Sequence, residues 1–126
     1  MRCANGGFGV STDRMIDYIE LPARDFDAVQ AFYEKVFQWQ FTDYGPDYRA
    51  FTDSQLNGGF YRADRQSTTA NGAALVVFYA KNLEQARDKV LSAGGLIVVD
   101  IFSFPGGRRF QFTDPNGNEL AVWSDT

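Results

Sequence analysis

FTDSQLNGGFYR at residues 51–62 and FTDPNGNELAVW at residues 112–123 share an opening Phe-Thr-Asp, a turn containing asparagine and glycine, and a strand-like close. Each follows a helical pattern and each ends its half of the chain, so one structural unit occurs twice. In the second stretch, Pro115 presets one turn dihedral and Asn116-Gly117 tolerates positive φ, which lets two antiparallel strands join tightly.

Working outward, Ile16 to Leu21 alternates with period two and reads as a strand that Pro22 ends. Asp25 is placed to cap a helix whose apolar stripe is Val29, Phe32, Tyr33, Val36 and Phe37. Strands are expected at Trp39 to Thr42, Tyr48 to Thr52 and Gly59 to Arg62, giving βαβββ. The second half repeats the order. A strand at Ala74 to Tyr79 precedes a helix that Asn82 and Gln85 open with capping-box spacing. Leu83, Ala86, Val90 and Leu91 form the expected buried face, and Ala93-Gly94-Gly95 closes the helix. Strands follow at Leu96 to Asp100, Arg109 to Thr113 and Leu120 to Trp123, with Pro105-Gly106-Gly107 as a turn between the first two. The fold class is α+β, two tandem βαβββ modules spanning about 15–64 and 73–126 within one domain. Residues 1–14, polar and rich in glycine, read as an arm.

Composition narrows the function. The 126 residues are 44% hydrophobic, enough for one core. Twelve Phe, six Tyr and two Trp exceed the needs of a small core, so some rings are expected to line a cavity or an interface. A net charge of −4 and a pI near 4.7 provide no basic stripe for phosphates, which argues against nucleic acid. The single cysteine, Cys3, cannot close an intrachain disulfide, and no apolar run has the length of a signal peptide or a membrane span. A cytoplasmic protein with no membrane partner is expected. There is no histidine, which removes Ser-His and Cys-His nucleophiles and the commonest metal ligand.

From Met15 to Trp123 the chain resembles the glyoxalase, bleomycin-resistance and extradiol-dioxygenase superfamily, the vicinal oxygen chelate fold. MIDYIELPARDFDAVQAFYEKVFQW is similar to the family's opening strand and helix, and FTDPNGNELAVW to its closing hairpin. The resemblance implies that the two modules form a cupped, half-barrel mixed sheet with helices on its outer face. It also places Tyr18, Phe60, Leu75 and Ala121 where metal-dependent relatives carry ligands. One phenol and three hydrocarbons do not make a transition-metal site, so no metal or other cofactor is expected.

Residues sharing parity with those positions should face the concave side. In the first module these are Ile16, Tyr18, Glu20, Tyr48, Ala50, Phe60 and Arg62. In the second they are Leu75, Val77, Tyr79, Arg109, Gln111, Ala121 and Trp123. The opposite parity, including Ile19, Leu21, Phe51, Phe78, Phe110 and Phe112, should lie under the helices. The ligand-binding candidates are therefore Tyr18, Glu20, Phe60, Leu75, Tyr79, Arg109, Gln111 and Trp123, with no catalytic residue assigned. Glu20 is open to three roles: a cation's partner, a base, or an ion pair with Arg62 or Arg109.

The resemblance implies a metal-independent, homodimeric protein that binds a small cationic or aromatic ligand in an aromatic cup, as the drug-sequestering bleomycin-resistance proteins do. The alternative is a lyase, isomerase or dioxygenase with a non-standard metal site at Glu20 and Tyr18.

Overall fold

The computed structural model describes residues 11–53 and 55–126. Cys3 and most of the N-terminal arm lie outside them. The chain divides between Arg65 and Gln66 into two compact units. Each carries a helix and a four-stranded mixed sheet.

Unit 1 runs β1 (Tyr18–Ala23), α1 (Phe26–Phe37), β2 (Gln40–Asp43), β3 (Tyr48–Thr52) and β4 (Asn57–Arg62). Its strand order is β1-β4-β3-β2, with β1 parallel to β4 and the other pairs antiparallel. The opening strand begins and ends two residues later than the alternation implied. Ile16 lies outside it at 84% exposure, whereas Pro22 lies within it. Proline is tolerated there because β1 is an edge strand, paired on one side only.

As expected, Asp25 caps α1, its carboxylate accepting the Ala28 amide at 3.1 Å. Gln38, in the left-handed region at φ 57°, stops the helix. Val29, Phe32, Tyr33 and Val36 are buried. Trp39, expected as the first residue of β2, instead precedes it. Its indole is sandwiched between Tyr33, 4.3 Å away at 8°, and Phe51, 4.0 Å away at 10°. Each such contact adds about 0.5–1.5 kcal/mol beyond the area it buries.

Two glycines let the sheet accommodate rings on both faces. A Cβ on Gly58 would collide with the Phe51 ring on the helix side, and one on Gly59 with the Tyr48 ring on the other. This explains why β4 opens with Asn-Gly-Gly.

Unit 2 runs through a short 3-10 turn (Thr69–Asn71), β5 (Val76–Tyr79), α2 (Leu83–Ser92), β6 (Leu96–Phe104), β7 (Gly107–Thr113) and β8 (Glu119–Ser124). Its order, β5-β8-β7-β6, is that of unit 1. Asn82 caps α2 through the Gln85 amide at 3.0 Å. At the other end, Gly94 at φ 97° and Gly95 return hydrogen bonds to the Leu91 and Val90 carbonyls. Only Leu83 and Val90 of α2 are fully buried; Leu91, expected in the buried stripe, is 51% exposed. β6 continues four residues past Asp100, with register irregularities between Ile97 and Phe102.

The repeated Phe-Thr-Asp has one role in both units. Phe51 and Phe112 are buried, and the aspartate two residues on organises the hairpin into the last strand. Asp53 accepts the Gln55 and Leu56 amides at 3.0 and 2.8 Å. Asp114 accepts the Asn116 and Asn118 amides at 2.8 and 3.0 Å and the Asn118 side chain at 3.1 Å. Asp114 is 4% exposed, so its loss strands buried donors. Asp114→Ala should lower the unfolding free energy by about 2 kcal/mol and Asp53→Ala by about half as much. Urea denaturation of both variants reads this, and a larger loss at Asp53 would contradict the assignment.

Candidate functional site

The sheet face turned away from α1 carries a hydrogen-bonded chain of three side chains. Register puts Glu20 of β1, Gly59 of β4 and Ala50 of β3 in one row. Because Gly59 has no side chain, the Tyr48 ring lies over it and reaches β1. Its hydroxyl donates to Glu20 Oε2 at 2.7 Å and meets the Tyr18 hydroxyl at 2.7 Å. With the Tyr48 proton on Glu20, Tyr18 is the donor in the second bond. Burial, followed by the bonds to Tyr18 and Glu20, pushes the Tyr48 phenol well above its ordinary 10.0, so it remains protonated.

Phe60 is a correction. The sequence reading placed it on the Tyr18 face, but it pairs with Leu21 and Arg49 on the helix side. It is fully buried there, 5.7 Å from Tyr33 and 5.3 Å from Phe51. Arg62 is on that side too, donating to the Arg24 carbonyl at 2.7 Å and the Pro46 carbonyl at 2.5 Å, with its guanidinium 4.8 Å from the Phe26 ring. Asn57, Gly59 and Tyr61 are the β4 residues that share a face with Tyr18 and Glu20. Tyr48, absent from the candidates above, is the member that joins them. The expected alternation of β3 already placed it on this face.

An open cleft of about 570 Å³ also lies in unit 1, lined by Arg24, Arg49, Arg62, Asp25, Asp27 and Asp43 among others. It sits at the N-terminal end of α1, on the helix side of the sheet. Its charges are matched internally: Arg49 meets Asp27 at 2.8 Å and Gln30 at 2.9 Å. Size alone does not make it the site, because the hydrogen-bonded chain lies on the opposite face.

In unit 2 the expected parity holds. One row crosses all four strands as Phe102, Arg109, Trp123 and Tyr79, and a second carries Val99, Gln111, Ala121 and Val77. Leu75 is half-buried and stands just ahead of β5. Tyr79 donates to Asp125 at 2.7 Å and meets Trp123 edge-on at 5.3 Å; that hydrogen bond raises the Tyr79 pKa.

Glu119 was missed as a site residue, although it shares parity with Ala121 and Trp123. Its carboxylate accepts the Thr69 amide and hydroxyl, both at 2.8 Å, and the Gln111 side chain at 2.7 Å. The Thr69 amide is the main reason its pKa falls below the ordinary 4.5. Residues 66–69, which fall between the two expected modules, thus pack against the closing hairpin, where the Ser67 amide also donates to Asn118 at 3.0 Å.

The positions where metal-dependent relatives would carry ligands do not supply a donor set. Tyr18 is a phenol hydrogen-bonded to Tyr48, Gly59 stands on the face where Phe60 was expected, and Leu75 and Ala121 are hydrocarbons. Among the described residues no group of three or more His, Cys, Asp or Glu side chains is arranged to hold a metal ion. These residues do not fit a transition-metal centre.

Residues 15–122 match the family profile of the Glyoxalase/Bleomycin resistance protein/Dioxygenase superfamily. The chain belongs to that superfamily. No curated protein sequence matches it. Among solved structures, it resembles the fosfomycin resistance protein FosX of Listeria monocytogenes with a TM-score of 0.75 at 15% identity, over 91% of this chain and 96% of that one. A glyoxalase/bleomycin resistance protein/dioxygenase family enzyme of Burkholderia phytofirmans PsJN gives a TM-score of 0.73 at 17% identity, over 88% and 98%. Lactoylglutathione lyase of Agrobacterium tumefaciens gives 0.69 at 18%, over 90% and 96%. Identities this low establish the fold alone.

Two titrations follow. In the native protein Tyr48 should stay un-ionised where free phenols have titrated, so Tyr48→Phe should leave the amplitude of the ultraviolet difference titration unchanged there. Since its folded pKa is the higher one, its stabilisation is complete below pH 10.0, the unfolded value, and is lost as pH rises beyond it. For Glu119 the sign is opposite. Its contribution is present above pH 4.5 and lost as pH falls through the lower folded value, so Glu119→Gln should flatten the acid limb of a stability profile.

Proposed function

We propose that this protein binds a small organic molecule against the aromatic and polar faces of its two sheets, without a metal, and acts by sequestration. The observation that carries this reading is the identity of the exposed sheet faces. Where a metal-dependent relative would have ligands, this chain has Tyr18, Leu75 and Ala121. Beside them stand rings and hydrogen-bonding groups, namely Tyr48, Tyr79, Trp123, Glu20 and Gln111. Planar rings grip an organic ligand by stacking, and a few fixed polar groups select its orientation. The ligand is aromatic, with Glu20 favouring a cationic group in the first module. The protein acts in the cytoplasm as a homodimer; pairing of two chains would cover exposed edge-strand apolars such as Leu96 and Val98.

A second reading is supported by the 2.7 Å bonds linking Tyr18, Tyr48 and Glu20. A carboxylate joined to two phenols can take a proton and relay it, as an isomerase or lyase requires. In this reading, the chain is an enzyme using Glu20 and Tyr18.

Elemental analysis after incubation with Zn, Ni, Mn and Fe(II), followed by thermal shifts with a panel of aromatic and cationic compounds, tests the first reading. Metal below a tenth of stoichiometric, on the order of background, is expected. A hit present at 100 times its Kd should add about 2.7 kcal/mol of stability, and Tyr18→Ala or Trp123→Ala should weaken it about tenfold. Stoichiometric metal lost on Glu20→Ala would transfer support to the enzyme.

A further inference from the structure

Arg108 and Arg109 are adjacent in β7 and point to opposite faces, with different degrees of neutralisation. Arg108, on the helix side, makes a two-pronged ion pair with Glu84 of α2 at 2.6 and 3.2 Å and also donates to the Thr126 carbonyl at 3.0 Å. Arg109, half-buried on the other face, has no carboxylate within ion-pair distance among the described residues. Its side chain donates to Gln111 Oε1 at 3.1 Å and lies 5.2 Å from the Phe102 ring, while its Nε–H is buried without a hydrogen-bond partner.

Burying a guanidinium N–H without an acceptor is unfavourable, and fixing the group there adds to the cost. Yet this guanidinium is fixed. Thr69 holds the Glu119 carboxylate, Glu119 holds the Gln111 amide through its NH₂ group, and the Gln111 carbonyl oxygen is thereby turned toward Arg109. Gln111 also separates the arginine from Glu119, so the nearest acid of the network orients Arg109 without pairing with it. Around it runs the row Phe102, Arg109, Trp123 and Tyr79, and Phe104 lies 6.4 Å from both Phe102 and Trp123.

We infer that Arg109 is an anion subsite on the aromatic face of the second module and that it selects ligands carrying a carboxylate on an aromatic ring. A planar carboxylate matches the guanidinium fork, and the attached ring lies against Trp123. Gln111 and Glu119 are positioning residues that hold the fork in place. The inference rests on the aromatic-ligand reading above and adds a charge requirement to it: the face of the second module takes an anionic aromatic group.

Naphthoate, naphthamide and naphthylmethylamine share one ring system and differ in charge. Titration calorimetry should show naphthoate binding at least about tenfold more tightly than the amide, a preference that Arg109→Gln abolishes and Arg109→Lys reduces. In ¹H–¹⁵N spectra of the wild-type protein, naphthoate should shift the Arg109 Nε–H resonance, assigned by its loss in Arg109→Lys. That readout decides the matter even where Arg109→Gln folds poorly. Equal affinity for acid and amide, a preference that survives Arg109→Gln, or an unmoved Nε–H would overturn the anion subsite and leave the aromatic-ligand reading standing. Failure of all three compounds to bind would overturn both.

Discussion

The hairpin into the last strand of each module is the constraint from which the rest follows. That strand lies second in its sheet, antiparallel to one neighbour and parallel to the module's first strand. Its register therefore fixes both partners at once, and a slip by one residue would turn every side chain to the wrong face. Asp53 and Asp114 set that register by holding the amides of the residues that follow them. In the second module Asn116 and Asn118 are drawn into the same buried cluster, so this hairpin is the more strongly defined of the two.

With the register set, the modules solve their packing differently. The first builds its core from stacked rings, Tyr33, Trp39 and Phe51, with Phe60 beneath them, and gives up two side chains at Gly58 and Gly59 to make room. The second relies on Leu83, Val90, Phe110, Phe112 and Val122 under a helix with a smaller buried face. Removing a side chain at Gly59 had a second effect. It opened the path along which Tyr48 reaches Tyr18 and Glu20, so the polar chain on the first module's exposed face depends on a residue that contributes no chemistry itself.

The sequence was legible where side chains marked the phase and illegible where they did not. Helix caps at Asp25 and Asn82 and the order of elements could be read from local signals, and the sheet faces of the second module were marked by Phe110-Gln111-Phe112 and Leu120-Ala121-Val122, which alternate large apolar with polar or small side chains. The misplacement of Phe60 came from aligning the first hairpin with the family's closing one across Leu56-Asn57-Gly58-Gly59. Glycines carry no hydrophobic signal that would correct the alignment, β4 starts two residues earlier than expected, and the phase slipped by one. Pro22 looked like a terminator because edge position is a property of the sheet and not of the strand. Glu119 was legible in principle, since it shares parity with Ala121 and Trp123. It was passed over because its neighbours spell a turn, and its partner Thr69 is 50 residues away along the chain.

The two exposed faces carry opposite chemistry, and each is explained by what its charged group was given as a partner. Glu20 accepts a hydrogen bond from the Tyr48 phenol, which fixes the orientation of its carboxylate. Arg109 is provided with an amide oxygen and a ring, which orient the guanidinium without cancelling its charge. By contrast, Arg49, Arg87 and Arg108 each meet a carboxylate at 2.6–2.9 Å. A half-buried ion such as Arg109 is costly unless it is compensated, so holding it with neutral partners adds little to stability. Such an arrangement suits the proposed anion subsite, where the compensating charge would arrive with the ligand. The contrast between Arg108 and Arg109, one residue apart on the same strand, is the observation from which the proposed anion subsite is argued.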